Sequence, residues 1–126
     1  MVLKIDFDSE EALYTQLCNQ IICGIAMDVL HDGDSLPSVR QLADEIGINM
    51  HTVNKAYAVL RQEGFVKLDR RRGAIVSLDV NKLQALEEMR RDLGVVLARG
   101  VCKNVSREEV HSLVEESFDR FAGGGE

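Results

Sequence analysis

The order of apolar and polar residues predicts a mainly helical chain with one small β-hairpin. Near the N-terminus, apolar residues recur at three- and four-residue steps, which places them on one face of a helix. They are Tyr14, Leu17, Cys18, Ile21 and Ile25. We predict that Asp8 or Ser9 caps this helix and that it ends near Val29. The alternation of apolar and polar residues within residues 1–8 indicates a short extended segment or strand before it.

The stretch Leu36–Gly64 predicts two short helices joined by a tight turn. A steep crossing of two helices needs a small residue in the first, and Ala43 meets that need. Gly47 follows four residues later and accepts a left-handed turn without a Cβ penalty. Val53 then anchors the second helix from below. Together these residues favour a helix-turn-helix over an ordinary helical hairpin.

The ends and faces of the two helices can be assigned from the same stretch. Ser38 and Gln41 form a capping box for the first helix, and Asn49 is placed to cap the second. A buried stripe is predicted along the second helix, at Val53, Ala56, Tyr57 and Leu60. The opposite face is polar, with His51, Asn54, Lys55, Ala58 and Gln62. Such a face can read base edges in a DNA major groove, although any solvated helix face also looks like this.

Two β-type runs follow Gly64, at residues 65–68 and 74–78. The segment Asp69–Gly73 between them carries three consecutive arginines, so we predict a β-hairpin with a basic tip. Beside a recognition helix, such a wing would lie along the DNA backbone or reach the minor groove. A solvated charge cluster is the alternative.

From Asp79 onward the pattern is that of two amphipathic helices. The first is predicted to be about 20 residues long, with a loop from Gly100 to Val105. A second capping box, Ser106 with Glu109, opens the other helix. We expect residues 123–126 to be disordered.

Two helices of this size cannot bury their apolar faces on each other alone. They either cover the winged domain or pair with a second copy, and we favour a homodimer because a twofold protein suits a twofold DNA site. The predicted division is therefore a DNA-binding domain over residues 1–78 and a dimerisation region over residues 79–126. The residues predicted to pair are Leu86, Met89, Leu93, Val96, Leu97, Val110, Leu113, Val114 and Phe118.

The distribution of charge changes the picture that the whole composition gives. The chain of 126 residues is 45% hydrophobic and has a net charge of −6, which by itself argues against a nucleic-acid partner. Residues 36–76, however, hold seven Lys and Arg against four Asp and Glu, a balance of +3. Because local charge sets the attraction to phosphate, the helix-turn-helix and hairpin remain compatible with DNA.

The remaining chemistry points to a protein without a cofactor. Cys18, Cys23 and Cys102 are an odd number without metal-ligand spacing, which favours buried thiols in a reducing compartment. No apolar run spans a membrane and no signal peptide is recognisable, so we expect a cytoplasmic protein. No nucleotide-binding, zinc or nucleophile motif indicates an enzyme.

The chain resembles the GntR family of bacterial transcription regulators, and its short tail is similar to that of the YtrA-like subfamily. The motifs that carry the likeness are LPSVRQLA at residues 36–43, TVNKAY at 52–57 and LRQEGFV at 60–66. The likeness is strong over residues 10–78 and rests on length and pattern over 79–126.

The resemblance implies which residues bind DNA. They are Ser38 and Arg40 in the first motif helix; Asn49, His51, Thr52, Asn54 and Lys55 in the second; and Arg70, Arg71, Arg72 and Gly73 in the wing. Three positions depart from the usual pattern: Met50, His51, and Arg71, which replaces the first glycine of a Gly-x-Gly wing. A side chain at this last position would hinder close entry of the wing into the minor groove while adding a cation.

The resemblance also implies a function. We expect a homodimeric regulator, a repressor by preference, acting on a pseudo-palindromic operator of a small operon such as one for a transporter. A small-molecule effector of unidentified chemistry would lie between the tail and the winged domain. The alternative is a winged-helix module that docks on protein through the same face, which the retained polar residues disfavour.

Overall fold

The chain forms five helices and one two-stranded antiparallel sheet in the computed structural model, which describes residues 3–123. The elements are α1 (Leu13–Ala26), α2 (Val39–Ile46), α3 (Met50–Gln62), β1 (Val66–Asp69), β2 (Gly73–Val76), α4 (Lys82–Cys102) and α5 (Arg107–Ala122). The prediction of a mainly helical fold with a winged helix-turn-helix and two further helices is confirmed.

The helix-turn-helix is built as its local sequence dictates. Ser38 Oγ accepts the Gln41 amide at 3.1 Å, and the Gln41 side chain accepts the Ser38 amide in return, which completes the predicted capping box. Gly47 ends α2 with φ +72°, the left-handed conformation that a residue without Cβ adopts at low cost. The Asn49 side-chain oxygen, Oδ1, accepts the His51 amide at 2.7 Å and caps α3.

The hydrophobic core lies where α1 and α2 pack against α3 and where α3 meets β1. The four predicted residues of the α3 stripe are all buried, and Val53 and Leu60 have no exposed surface. Ala43 is also buried, at 3% exposure, so the small residue sits at the helix crossing as the sequence predicts. Burial of these apolar side chains is the main force that holds the three helices together.

The hairpin is supported on one side by the loop before α2. Its strands pair from Val66 with Val76 to Asp69 with Gly73. The loop runs alongside β2: the Val76 amide donates to the Asp34 carbonyl at 2.8 Å, and the Leu36 amide donates to the Ala74 carbonyl at 2.8 Å. A bridge between Ser35 and Ile75 lies between these bonds. The loop therefore acts as a short third strand, which the sequence did not predict.

The predicted start and end of α1 are wrong by several residues. The helix begins at Leu13 after Ala12, which makes no side-chain cap. Ser9 Oγ instead accepts the Glu11 amide in a local turn, so it is not available to cap the helix. At the other end α1 stops at Ala26, before the predicted Val29, because Asp28 takes a left-handed backbone with φ +62°.

The strand predicted before α1 does not form: residues 3–6 belong to no strand, and a turn follows at residues 7 and 8. Two glutamines of α1 hold this segment through side-chain amides. Gln16 accepts the Asp6 amide at 2.9 Å and donates to the Asp6 carbonyl at 3.0 Å, and Gln20 makes the equivalent pair of bonds with Lys4. Because helix residues four apart match the spacing of extended residues two apart, these amides replace a neighbouring strand.

The two C-terminal helices extend away from the core. Every residue of α4 before Gly100 is exposed, and the helix continues to Cys102, so the predicted loop from Gly100 is wrong by three residues. Asn104, with φ +66°, makes the turn, and the capping box of Ser106 with Glu109 opens α5 as predicted.

Gly123 ends α5 as its C-cap, and residues 124–126 of the predicted disordered end lie outside the described residues. Between residues 3 and 123, no helix is long and apolar enough to cross a membrane.

Candidate nucleic-acid interface

One cleft brings together the three elements that the sequence assigned to DNA binding. It lies between the start of α2, one side of α3 and the hairpin, and its volume is about 250 Å³. Ser38 from α2, Asn54 from α3 and Gly73 from the hairpin all line it. The structure thus places residues from separate sequence motifs on one surface, as a single binding face requires.

The start of α2 is fixed to α3 by a buried tyrosine. The Tyr57 hydroxyl donates a hydrogen bond to the Pro37 carbonyl at 2.7 Å, and the tyrosine is only 6% exposed. Burial raises the pKa of Tyr57 well above its ordinary value, and the charge of Glu45 adds to the shift. The neutral phenol therefore remains a hydrogen-bond donor. It keeps the exposed Ser38 and Arg40 at a fixed distance from the recognition helix.

The N-terminal end of α3 presents polar side chains to solvent. His51 and Asn54 are exposed and Thr52 is half-buried. The side-chain oxygen of Asn49 accepts the His51 amide as the helix cap, which leaves the NH₂ group of Asn49 as a donor to a ligand. Asn54 keeps both its donor and acceptor groups free of protein partners within residues 3–123 and is the best placed of these residues to contact a base edge.

Lys55 points away from the cleft. Its ammonium lies 4.0 Å from the centre of the Tyr14 ring on α1, within the range of a cation–π contact. This contact directs the cation along the α1 side of α3, where it suits a phosphate better than a base. The sequence pattern placed Lys55 on the predicted DNA-binding face of α3 but did not predict its contact with Tyr14.

The wing tip is shaped by one carboxylate. Asp69 Oδ1 accepts the backbone amides of Arg71 and Arg72 at 2.8 and 3.0 Å, a turn typical of aspartate. These two bonds, with the nearby arginine and lysine charges, lower the pKa of Asp69. Gly73 takes the left-handed backbone, with φ +75°, whereas Arg71 has no positive φ. A side chain in place of the usual first glycine therefore costs no backbone strain.

The three arginines of the wing do not point the same way. All three are exposed. The Arg72 guanidinium turns back to the loop before α2, where it donates to the Gly33 carbonyl and to Ser35 Oγ. Arg70 and Arg71 make no side-chain hydrogen bond or ion pair within the described part of the chain. Two cations are thus left at the tip, where sequence reasoning predicted three.

Arg61 is a further cationic residue of the cleft that sequence reasoning missed. It is exposed and lines the cleft with Asn54 and Ala58. The signal was present in the sequence, because positions 54, 58 and 61 follow the spacing of one helical face.

The face predicted for dimerisation is solvent-exposed. Eight of its nine residues are exposed and Val110 is half-buried. A separate, open groove runs between the end of α3 and residues 84–95 of α4. Its lining includes apolar Phe65 and Val95 together with four carboxylates, those of Glu63, Asp79, Glu88 and Asp92.

Comparison with known proteins identifies this arrangement. The family described as "Bacterial regulatory proteins, gntR family" matches residues 11–76, more than half of the chain. The HTH-type transcriptional repressor YtrA of Bacillus subtilis (strain 168) is 30% identical over 98% of this chain and 97% of its own length.

Two solved structures extend the likeness to the fold. YtrA from Sulfolobus acidocaldarius, a GntR-family transcription factor, is 39% identical and superposes with a TM-score of 0.68 over 81% of this chain and 99% of its own. A protein called a transcriptional antiterminator, from Listeria monocytogenes EGD-e, gives a TM-score of 0.83 at 28% identity over 92% of this chain and 89% of its own. These relatives are transcription proteins and not enzymes. The chain therefore belongs to the gntR family of regulatory proteins, is similar to YtrA, and is a transcription regulator with a winged helix-turn-helix DNA-binding domain.

Proposed function

We propose that this chain is a homodimeric repressor that binds a pseudo-palindromic operator in the cytoplasm. Residues 1–78 would bind DNA, and residues 79–126 would pair two copies. The name of its Bacillus subtilis relative, a transcriptional repressor, supports the sign of regulation. The regulated genes would be a small operon, with a transporter operon as our expectation.

The observation that carries the DNA-binding part is the shared cleft. Ser38, Asn54 and Gly73 line one surface although they come from three separate motifs. Arg70 and Arg71 lie at the tip beside it, with no side-chain partner among residues 3–123. Short polar side chains on a helix can read base edges, and free arginines beside them can contact phosphate or the minor groove.

The exposed apolar surface of the tail supports pairing of two copies. Of the 18 large hydrophobic residues that are exposed in the described part of the chain, 13 lie between Val80 and Phe118. Exposed patches of this extent are typical of an interface and not of a free helix surface. A twofold pair would present two recognition helices about 34 Å apart, one turn of DNA.

DNA binding can be tested by measuring affinity over a series of salt concentrations. We expect tight binding to an inverted repeat selected from random DNA, with an affinity that falls steeply with salt. Arg40→Ala should weaken binding to all sequences and reduce the logarithmic salt slope by about 0.9, the loss of one phosphate contact. Arg107→Ala, an exposed arginine at the start of α5, is the matched control and should leave the slope unchanged.

Base reading is tested by a second substitution. Asn54→Ala should cost about 1–3 kcal/mol of discrimination at one position in each half-site. An equal loss on every sequence would assign Asn54 to backbone contact instead. A wild-type protein with no preference for the repeat and no steep salt slope would contradict the proposal and favour a protein-docking module.

Dimerisation can be measured by sedimentation. Leu93→Asp puts a charge into the proposed interface and should give monomers, because an unpaired buried charge is costly. Ala98→Asp adds the same charge to α4, about 140° around the helix axis from Leu93, and should leave the dimer intact. If Leu93→Asp stays dimeric, this face does not form the interface.

The groove between α3 and α4 is where we propose that a small-molecule effector would bind. It joins the DNA-binding domain to the tail, so a ligand there would contact both parts. Its four carboxylates, with one arginine among its lining residues, favour a ligand that carries positive charge. Release of operator DNA by such a compound, measured by anisotropy, would support this site, and an effect that survives Glu88→Gln with Asp92→Asn would contradict it.

A further inference from the structure

The Arg72 side chain is exposed, but it is hydrogen-bonded to another part of the protein. Its guanidinium donates to the Gly33 carbonyl and, at 3.2 Å, to Ser35 Oγ. These partners lie 39 and 37 residues away in the sequence. Both bonds come from one terminal nitrogen, Nη2, so the end of the side chain is held at the loop by two acceptors that lie two residues apart.

The partners of Arg72 belong to the loop that supports the hairpin. Gly33 donates its amide to the Val76 carbonyl at 2.7 Å, and Ser35 pairs with Ile75. Arg72 itself lies in the turn just before β2. Its side chain therefore joins the tip of the hairpin to the loop that runs alongside the base, and it adds a second attachment to the backbone bonds.

Two carboxylates lie near enough to Arg72 to be affected by its charge. The pKa of Asp34 is lowered chiefly by its hydrogen bonds with His31, and that of Asp69 chiefly by the backbone amides of Arg71 and Arg72. The charge of Arg72 adds to both shifts. A phosphate that approached Arg72 would meet these two carboxylates as well. The side-chain charges of Arg70 and Arg71 are not among the causes of either pKa shift.

We propose that Arg72 is a positioning residue: it fixes the wing against the loop before α2 so that Arg70 and Arg71, and not Arg72, make the wing's contacts with DNA. This inference rests on the proposed DNA binding. Three adjacent arginines of the same charge thus have two roles: Arg72, which binds the loop, positions the wing, and the other two contact DNA. Only the tertiary contacts distinguish them.

The first experiment compares the salt dependence of operator binding for two matched variants. Arg71→Ala should lower the logarithmic salt slope by about 0.9, because one phosphate contact and its released counterions are lost. Arg72→Ala should weaken binding about five- to tenfold and leave the slope as in the wild type. A fall in slope for Arg72→Ala equal to that for Arg71→Ala would overturn the assignment.

A conservative substitution gives a second test of the positioning role. Lysine keeps the charge, but its side chain is one bond shorter, so its ammonium does not reach the position between the two acceptors that Nη2 of Arg72 occupies. Arg72→Lys should therefore bind DNA as weakly as Arg72→Ala. Full affinity for Arg72→Lys would mean that charge alone acts at this position, as a phosphate contact requires, and would contradict the positioning role.

A measurement without DNA keeps the two proposals separate. Hydrogen exchange of the Gly33, Leu36 and Val76 amides, which join the loop to β2, should be faster in Arg72→Ala and unchanged in Arg71→Ala. Ser35→Ala should accelerate the same amides, with little further effect in the Arg72→Ala background because the shared bond is already gone. Unchanged exchange in Arg72→Ala would refute the positioning role. If exchange is faster in Arg72→Ala as expected, but the wild-type protein does not bind an operator, only the proposed function is refuted.

Discussion

Removal of the Tyr57 hydroxyl tests how the two helices of the DNA-binding motif are joined. Tyr57→Phe keeps the buried ring and deletes the bond to the Pro37 carbonyl. Pro37 is the residue before the α2 cap, so this bond links α3 directly to the start of α2. The substitution changes no apolar contact of the ring, and its effect can be assigned to the hydrogen bond.

The structure sets the expected magnitude. A hydrogen bond within a protein contributes about 0.5–1.5 kcal/mol, and a carbonyl left buried without a partner raises the loss to about 1–3 kcal/mol. Pro37 and Tyr57 both line the cleft, and Pro37 is half-buried, so water can reach the carbonyl in the variant. We therefore expect a loss of about 1 kcal/mol, or roughly 4 °C in Tm for a domain of this size.

The assay is chemical and thermal unfolding at one protomer concentration, because the stability of a dimer depends on concentration. Tyr14→Phe is the matched control: the Tyr14 hydroxyl makes no hydrogen bond within residues 3–123, and its ring is retained beneath Lys55. We expect no measurable change for this variant. Operator binding should weaken in Tyr57→Phe and not in Tyr14→Phe, because only the first frees the start of α2.

A pH series gives an independent check. The pKa of Tyr57 is raised in the folded state, so folding favours the protonated phenol. Its contribution is present below the ordinary tyrosine pKa of about 10 and is lost as pH rises above that value. Wild-type stability should therefore fall more steeply than that of Tyr57→Phe above pH 10. Equal slopes, or a variant as stable as the wild type at neutral pH, would refute the argument.

Three further predictions concern single residues. Gly73→Ala should lower the free energy of unfolding by about 1 kcal/mol, because Gly73 has a positive φ that an alanine adopts only with strain. Gly94→Ala in α4, where a Cβ meets open space, should instead stabilise the protein. Equal effects of the two substitutions in unfolding experiments would contradict this prediction. The lowered pKa of Asp69 means that its contribution is present above the ordinary carboxyl pKa and is lost as pH falls through the lowered value. The two arginine amides that Asp69 accepts should thus lose exchange protection in acid, but not in Asp69→Asn, which retains a neutral acceptor. Burial raises the pKa of Cys18, so a thiol reagent should modify exposed Cys102 first, with the difference abolished in denaturant.

Features that depend on nearby residues could be predicted from the sequence. The capping boxes at Ser38 and Ser106 each need only a partner three positions on, and both form. The turn at Gly47 needs a residue without Cβ, and the buried stripe of α3 needs only a helical period. The motif and its family could be assigned because these local requirements are met together.

Features that depend on distant residues could not be predicted from the sequence. Ser9 was a suitable helix cap by type, but a local turn uses its hydroxyl and α1 starts at Leu13. Lys55 lies on a predicted DNA face, yet its ammonium is directed by Tyr14, a residue of another helix.

The wing shows the same division between local and distant causes. The sequence by itself determined that a hairpin with three arginines follows the helix-turn-helix, because alternating β-type residues flank a turn at Asp69. Only the tertiary structure decided that Arg72 binds Gly33 and Ser35, while Arg70 and Arg71 have no side-chain partner in the described part of the chain. Three identical side chains in a row carry no information about which of them meets an acceptor; that depends on where the fold places a loop almost 40 residues earlier.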